Sequence, residues 1–173
     1  MAHNLEKIFV ETVDRKLSQM RDRIVTCLDK LNHDQVWSRE GSHENAIGNL
    51  VLHLCGNLRQ WIGHGVAGRS DVRVRDREFQ ARGNIEPAEL RERLVGAVDE
   101  ALGSIRSLDA DGLARTVQVQ GYTITTLEAV FHVTEHFSQH AGQIILLTKH
   151  LTGEDLGFYR HLSQGASHGA KTP

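Results

Sequence analysis

A chain of 173 residues with 39% hydrophobic and 24% charged side chains is long enough to bury a core without help from disulfides or metal. Its formal net charge of -2 offers no strong field to nucleic acid or acidic lipid, and no apolar run approaches the roughly 20 residues that cross a bilayer. The first residues hold no signal-type apolar segment, so the expectation is a cytoplasmic protein with neither nucleic-acid nor membrane partners.

From Leu5 to Leu31 apolar residues recur at three-and-four spacing (Leu5, Ile8, Phe9, Val13, Leu17, Met20, Ile24, Leu28, Leu31), which predicts one long amphipathic helix. The polar stretch 32–42 reads as a connection, with Trp37 as a lid over the end of the helical core. A second helix is predicted from about Asn45 to Ile62, ended by Gly63, Gly65 and Gly68. Residues 68–84 are rich in Arg and Asp and have no helical period, so they read as a long surface loop, either solvated or shaping a site. Pro87 opens a third helix, whose stripe of Leu90, Leu94, Val98, Ala101 and Ile105 runs toward Leu108.

Between Asp109 and Tyr122 the pattern changes to alternation (Val117, Val119, Tyr122), which predicts a short extended excursion. Thr125 and Glu128 form a capping-box pattern before a fourth helix that reaches about Leu151. The fold class expected is therefore all-α, a four-helix up-and-down bundle, as one domain over residues 1–164 with a frayed tail over 165–173. Cys27 and Cys55 form no CxxC pair and read as free thiols in the core.

Eleven histidines are several times the usual share, and their placement gives them meaning. His132, His136 and His140 follow one another at intervals of four, so each step turns the side chain by only about 40° and all three share one stripe beside the buried face. Two imidazoles at i and i+4 can meet on one ion, although such pairs also occur as ordinary packed residues. His53 is the natural third ligand because it lies in the body of another helix, on its flank by wheel geometry, where an edge histidine is the alternative reading. His43, His64, His150, His161 and His168 fall in loops, helix ends or the tail and read as solvated.

The segment Glu44 to Leu54, the loop piece Arg75-Asp76-Arg77-Glu78-Phe79, and above all the run His136 to Ile144, HxxxHxGQI in form, resemble the DinB/YfiT-like superfamily, most closely its uncharacterised bacterial members. The resemblance spans roughly Leu5 to Leu151. It implies a four-helix bundle holding one divalent transition metal, zinc or nickel first and iron or manganese next, through His53, His136 and His140. His132 matches a position that is not usually a ligand. Some members act as metal-dependent transferases or isomerases with low-molecular-weight thiols, others resemble hydrolases, and many have no known activity.

Three neutral imidazoles leave an ion its full charge and an open position, which suits S-transfer with a bound thiolate as well as hydrolysis by a bound hydroxide. The expectation is thus a metal-dependent enzyme on a small molecule, thiol S-transferase-like, with a hydrolase or a non-catalytic binding protein as alternatives and a homodimer as the assembly. Glu135, Gln139, Gln143 and Asn57 are candidates to support the ligands, and Asn49 and Asn57 to orient His53. Arg73, Arg75 and Arg77 are candidates to bind a substrate carboxylate, unless Arg75 and Asp76 pair internally. No residue stands out as a general base.

Overall fold

The computed structural model describes residues 4–160, which leaves His161, His168 and the expected tail over 165–173 outside it. Seven α-helices and one hairpin follow in the order α1 (Leu5–Leu28), α2 (His33–Trp37), α3 (Ile47–Leu58), α4 (Arg75–Gln80), α5 (Pro87–Arg106), α6 (Ala110–Ala114), β1 (Thr116–Val119), β2 (Tyr122–Thr125) and α7 (Thr126–Thr152). The long helices pack α1 against α5 and α7, and α3 against α5 and α7. Their apolar stripes close one core around Phe137, Leu54, Leu94, Ile24 and Ile144. No helix of the described residues is long and apolar enough to cross a membrane.

The sequence rules for helix starts hold at α1, α2, α5, α6 and α7. The Asn4 side chain accepts from Lys7 N, and at α7 the Thr125 hydroxyl accepts from Glu128 N (3.2 Å) while Glu128 Oε2 accepts from Thr125 N (2.8 Å), the reciprocal capping box. Pro87 occupies the first turn of α5.

The second predicted helix does not stop at its glycines. It continues beyond α3 as a π-helical segment over Arg59–Val66, with Ala67 N donating to Ile62 O five residues back (2.8 Å). Trp61, Ile62 and Val66 are buried there, and a Cβ on Gly65 would meet Val119 Cβ at 3.2 Å. Core contacts and the close approach of the hairpin outweigh the roughly 1 kcal/mol helix cost of each glycine. The hairpin turns on Gln120 and Gly121, both at positive φ (52° and 81°), the backbone of a two-residue I′ turn.

Two predicted connections contain helix. The stretch 32–42 holds α2, capped by Asn32, and Trp37 at its end donates its indole N–H to Ile85 O (2.9 Å) while lying over Gly48. Residues 68–84, expected as a loop without helix, contain α4, whose six residues are too few to reveal a period. Asn49, expected to orient a histidine, instead accepts from Ala46 N and donates to Glu78 O and Ala81 O, tying this segment to the start of α3.

Phe137, 1% exposed, is among the largest fully buried side chains of the core. Phe137→Ala is expected to destabilise the fold by about 3–5 kcal/mol in chemical denaturation, and a loss well under 1 kcal/mol would contradict this packing.

Candidate metal centre

Helix α3 is apolar on nearly all sides, and its burial between α5 and α7 carries His53 inward to 5% exposure. His53 is therefore not the flank residue that wheel geometry expected. From α7 the stripe spaced by four brings His136 and His140 to the same point. His53 Nε2 lies 3.1 Å from His136 Nε2, and His140 Nε2 lies 3.2 Å from the same atom. A potential ligand atom of each residue lies within 4.8 Å of the others.

Hydrogen-bond partners decide where the ring protons sit. Glu78 Oε2 can only accept, so at 2.9 Å it accepts the hydrogen bond of His53 Nδ1–H and leaves the His53 Nε2 lone pair facing the cluster; Arg73 Nη2, 3.1 Å from the same Nδ1, donates to Glu78 Oε2 as well. Gln143 Oε1 does the same for His140 Nδ1 at 2.6 Å. The Nδ1 of His136 is buried with no hydrogen-bond partner among the described residues, so none of them fixes its proton on that side. Two lone pairs, with a third available from His136, thus converge.

Such a donor set fits a divalent transition ion. The nitrogen separations of 3.1 and 3.2 Å are close to the ~3.3 Å edge of a tetrahedron with metal–nitrogen bonds of about 2.0–2.1 Å, and two of the three rings already have the hydrogen-bond support that metal-bound imidazoles use.

Glu78 is the functional residue that the sequence did not single out. Its Oε1 accepts from Arg73 Nε (2.7 Å) and its Oε2 from Arg73 Nη2 (2.9 Å), while Arg73 Nη1 donates to Gln60 Oε1 (2.9 Å). The side chains of Arg73 and Glu78 are 5% and 11% exposed. Burial raises the Glu78 carboxyl pKa, but the hydrogen bonds from Arg73 and His53 and the Arg73 charge outweigh it, holding the group below the usual glutamate value. Glu78 is therefore an anion at neutral pH. The segment holding Arg73 and Glu78 is thus no merely solvated loop.

Gly56 makes room for this ion pair, because a Cβ there would lie 1.9 Å from Glu78 Oε1 and 2.9 Å from Arg73 Nε. The one available signal was Glu78 itself, within a segment already singled out, but nothing in that segment's pattern marked it as buried.

The other candidates separate cleanly. Gln143 supports His140, whereas Glu135 and Gln139 hydrogen-bond each other on the exposed face and Asn57 makes no hydrogen bond to the histidines among the described residues. Arg75 lies over the Phe79 ring at 4.7 Å rather than pairing with Asp76, and Phe79 in turn packs on His53 at 4.8 Å. His132 sits against Trp61 with ring centroids 4.0 Å apart and 5.7 Å from the His136 ring, a packing position. His43 and His150 are exposed, and His64 is half-buried with Nδ1 2.7 Å from Arg69 O. Cys27 and Cys55 are buried free thiols, and burial pushes Cys55 up to about 12, which makes it a poor nucleophile.

Burial, aided by the neighbouring His140 and His53, pulls the His136 pKa down to about 3, and burial also lowers His140. The unfolded chain takes up a proton at His136 near pH 6.5 and the folded chain only near 3, so this contribution to stability is complete above about 6.5 and is lost as pH falls toward 3. Below the ordinary glutamate range Glu78 adds a loss of the same sign. Metal-free protein should therefore melt at progressively lower temperature from pH 6.5 to 4.5, with a shallower slope in His136→Phe; equal slopes would contradict the burial of a neutral imidazole.

Gly56→Ala should expel the Arg73–Glu78 pair and free the His53 ring, with a measurable loss of stability. An unchanged His53 imidazole NMR signal in that variant would contradict the close approach.

The fold has counterparts among known structures. A conserved protein from Enterococcus faecalis superposes with a TM-score of 0.71 at 11% identity, covering 83% of this chain and 97% of its own. The DinB-like protein YjoA of Bacillus subtilis gives 0.66 at 15% identity, covering 86% of this chain and 96% of its own. A mycothiol-dependent maleylpyruvate isomerase gives 0.60 at 17% identity, covering 80% of this chain and 67% of its own. At these identities the likeness is one of fold. No curated protein matches the sequence. The model of one family, described as a protein of unknown function (DUF1572), matches residues 4–164, so the chain belongs to the DUF1572 family and has the DinB/YfiT-like fold.

Proposed function

We propose that His53, His136 and His140 hold one divalent transition metal, zinc or nickel before iron or manganese, and that the protein is a metal-dependent enzyme acting on a small molecule in the manner of a thiol S-transferase. The observation that carries the reading is the convergence of the three Nε2 atoms, with the Nδ1 protons of His53 and His140 committed to Glu78 and Gln143. The packing of the four long helices supports an up-and-down bundle as the scaffold, in one domain. A thiol as co-substrate is supported by the fold shared with the mycothiol-dependent isomerase.

When bound, the ion supplies a Lewis-acid position at which a thiol is held as thiolate or a water is acidified. The protein's own residues prepare that position. Glu78 and Gln143 keep His53 and His140 in the tautomer that presents Nε2, and the Arg73 charge keeps Glu78 ionised. Phe79 and Trp61 put apolar surface against His53 and His132, which limits water around the ligands. The partner in this reading is a small molecule, with neither nucleic acid nor membrane, and the assembly is a homodimer.

Elemental analysis of purified protein should find about one transition ion per chain, lost in His136→Ala and His140→Ala and retained in His132→Ala. Chelation should leave the helical circular dichroism in place, since the apolar core does not need the ion, and added metal should raise the melting temperature. Near-normal metal content in His140→Ala would overturn the ligand set. Metal binding without turnover across a panel of thiols and electrophiles would leave a binding protein in place of the enzyme.

A further inference from the structure

The segment 70–85 has a second side, facing away from the histidines. Between it, α3 and α5 lies a cavity of about 720 Å³, within the size range of small-molecule sites. Five guanidinium groups line it, against two carboxylates. Those carboxylates are engaged already: Glu78 accepts from Arg73 and His53, and Asp71 accepts from Gln60 (2.8 Å) and from Arg73 N (3.0 Å).

The remaining arginines are only partly neutralised. Arg93 pairs with Glu89 at 2.5 Å, and Arg59 reaches Glu100 at 3.8 Å between exposed groups. Arg82 donates to the backbone oxygens of Phe79 and Ala81 and has no carboxylate partner among the described residues. The Arg77 side chain has neither an ion pair nor a hydrogen bond among the described residues. A local excess of positive charge in a chain of net charge -2 is a specific placement rather than a consequence of composition. The same wall exposes two apolar side chains, Val72 at 83% and Val74 at 50%.

We infer that this cavity is a binding site for a small organic anion, a phosphate or carboxylate on an apolar body, with Arg77 and Arg82 taking the charged group and Val72 and Val74 the apolar part. Guanidinium forks match the oxygens of either anion, and unpaired exposed valines supply area that a hydrated inorganic ion would not use. The site is separate from the histidine cluster and does not depend on metal there. The two share one wall, the Arg73–Glu78 pair, so an occupant would press on the segment that orients His53.

The test is calorimetric titration with phenyl phosphate, inorganic phosphate and phenol, on the protein as purified and after chelation. Saturable binding of phenyl phosphate is expected, tighter than that of inorganic phosphate, with none for phenol and with the same affinity after chelation. Arg77→Glu, at an exposed side chain with no hydrogen bond or ion pair among the described residues, should weaken phenyl phosphate by about tenfold or more while metal content and melting temperature stay unchanged, and Arg82→Ala should weaken it similarly. Absence of binding up to about 10 mM, an unchanged affinity in Arg77→Glu, or loss of binding on chelation would each overturn the assignment, the last because it would place the anion on the metal. Equal affinity for inorganic phosphate would overturn the organic class.

Discussion

A polar cluster inside an apolar helical core persists only if its protons and lone pairs are matched, and here the match depends on one carboxylate. Glu78 receives three hydrogen bonds, two from Arg73 and one from His53, in a space that exists because residue 56 has no side chain. Without Glu78 the Arg73 charge would be buried unpaired and the His53 ring would be free to turn. The segment that carries both charges would also lose its anchor on α3. The geometry of the histidines is thus a consequence of an ion pair one layer behind them.

The charges around the cluster are arranged in opposite senses on its two sides. His136 and His140 are kept neutral by burial and by neighbouring imidazoles, His136 most strongly, so their lone pairs remain available at neutral pH. Behind them Glu78 is kept anionic, which strengthens the hydrogen bond it accepts from His53 Nδ1 and holds the ring with Nε2 toward the cluster. Imidazole lone pairs in front and a fixed charge behind are an arrangement that suits a cation. On the far side of the same ion pair the surplus changes to arginine, so one short segment separates a place suited to a cation from a place suited to an anion.

Much of this was legible in the sequence because it follows from helical periodicity. The stripes of α1, α5 and α7, the capping box at Thr125 and Glu128, and the common face of His132, His136 and His140 all depend on residues within a few positions of one another. The helix α4 was too short to show a period, and at the other two failures the deciding contact was distant in sequence. The glycines at 63 and 65 did not end a helix, because Trp61, Ile62 and Val66 are buried and Val119 packs against Gly65. His53 was placed on a flank because a helical wheel counts one buried face, whereas α3 is covered by α5, by α7 and by the segment after it.

What the sequence by itself determined was the set of long amphipathic helices and the register of the α7 histidines, since 3.6 residues per turn fixes which side chains share a face. The tertiary structure alone decided that His53 meets His136, 83 positions further along the chain, that Glu78 rather than Asn49 or Asn57 holds its ring, and that Arg73 serves that carboxylate instead of a substrate. Those choices rest on which surfaces approach within hydrogen-bonding distance and on which buried charge finds an opposite one, and neither is written in any local pattern of residues.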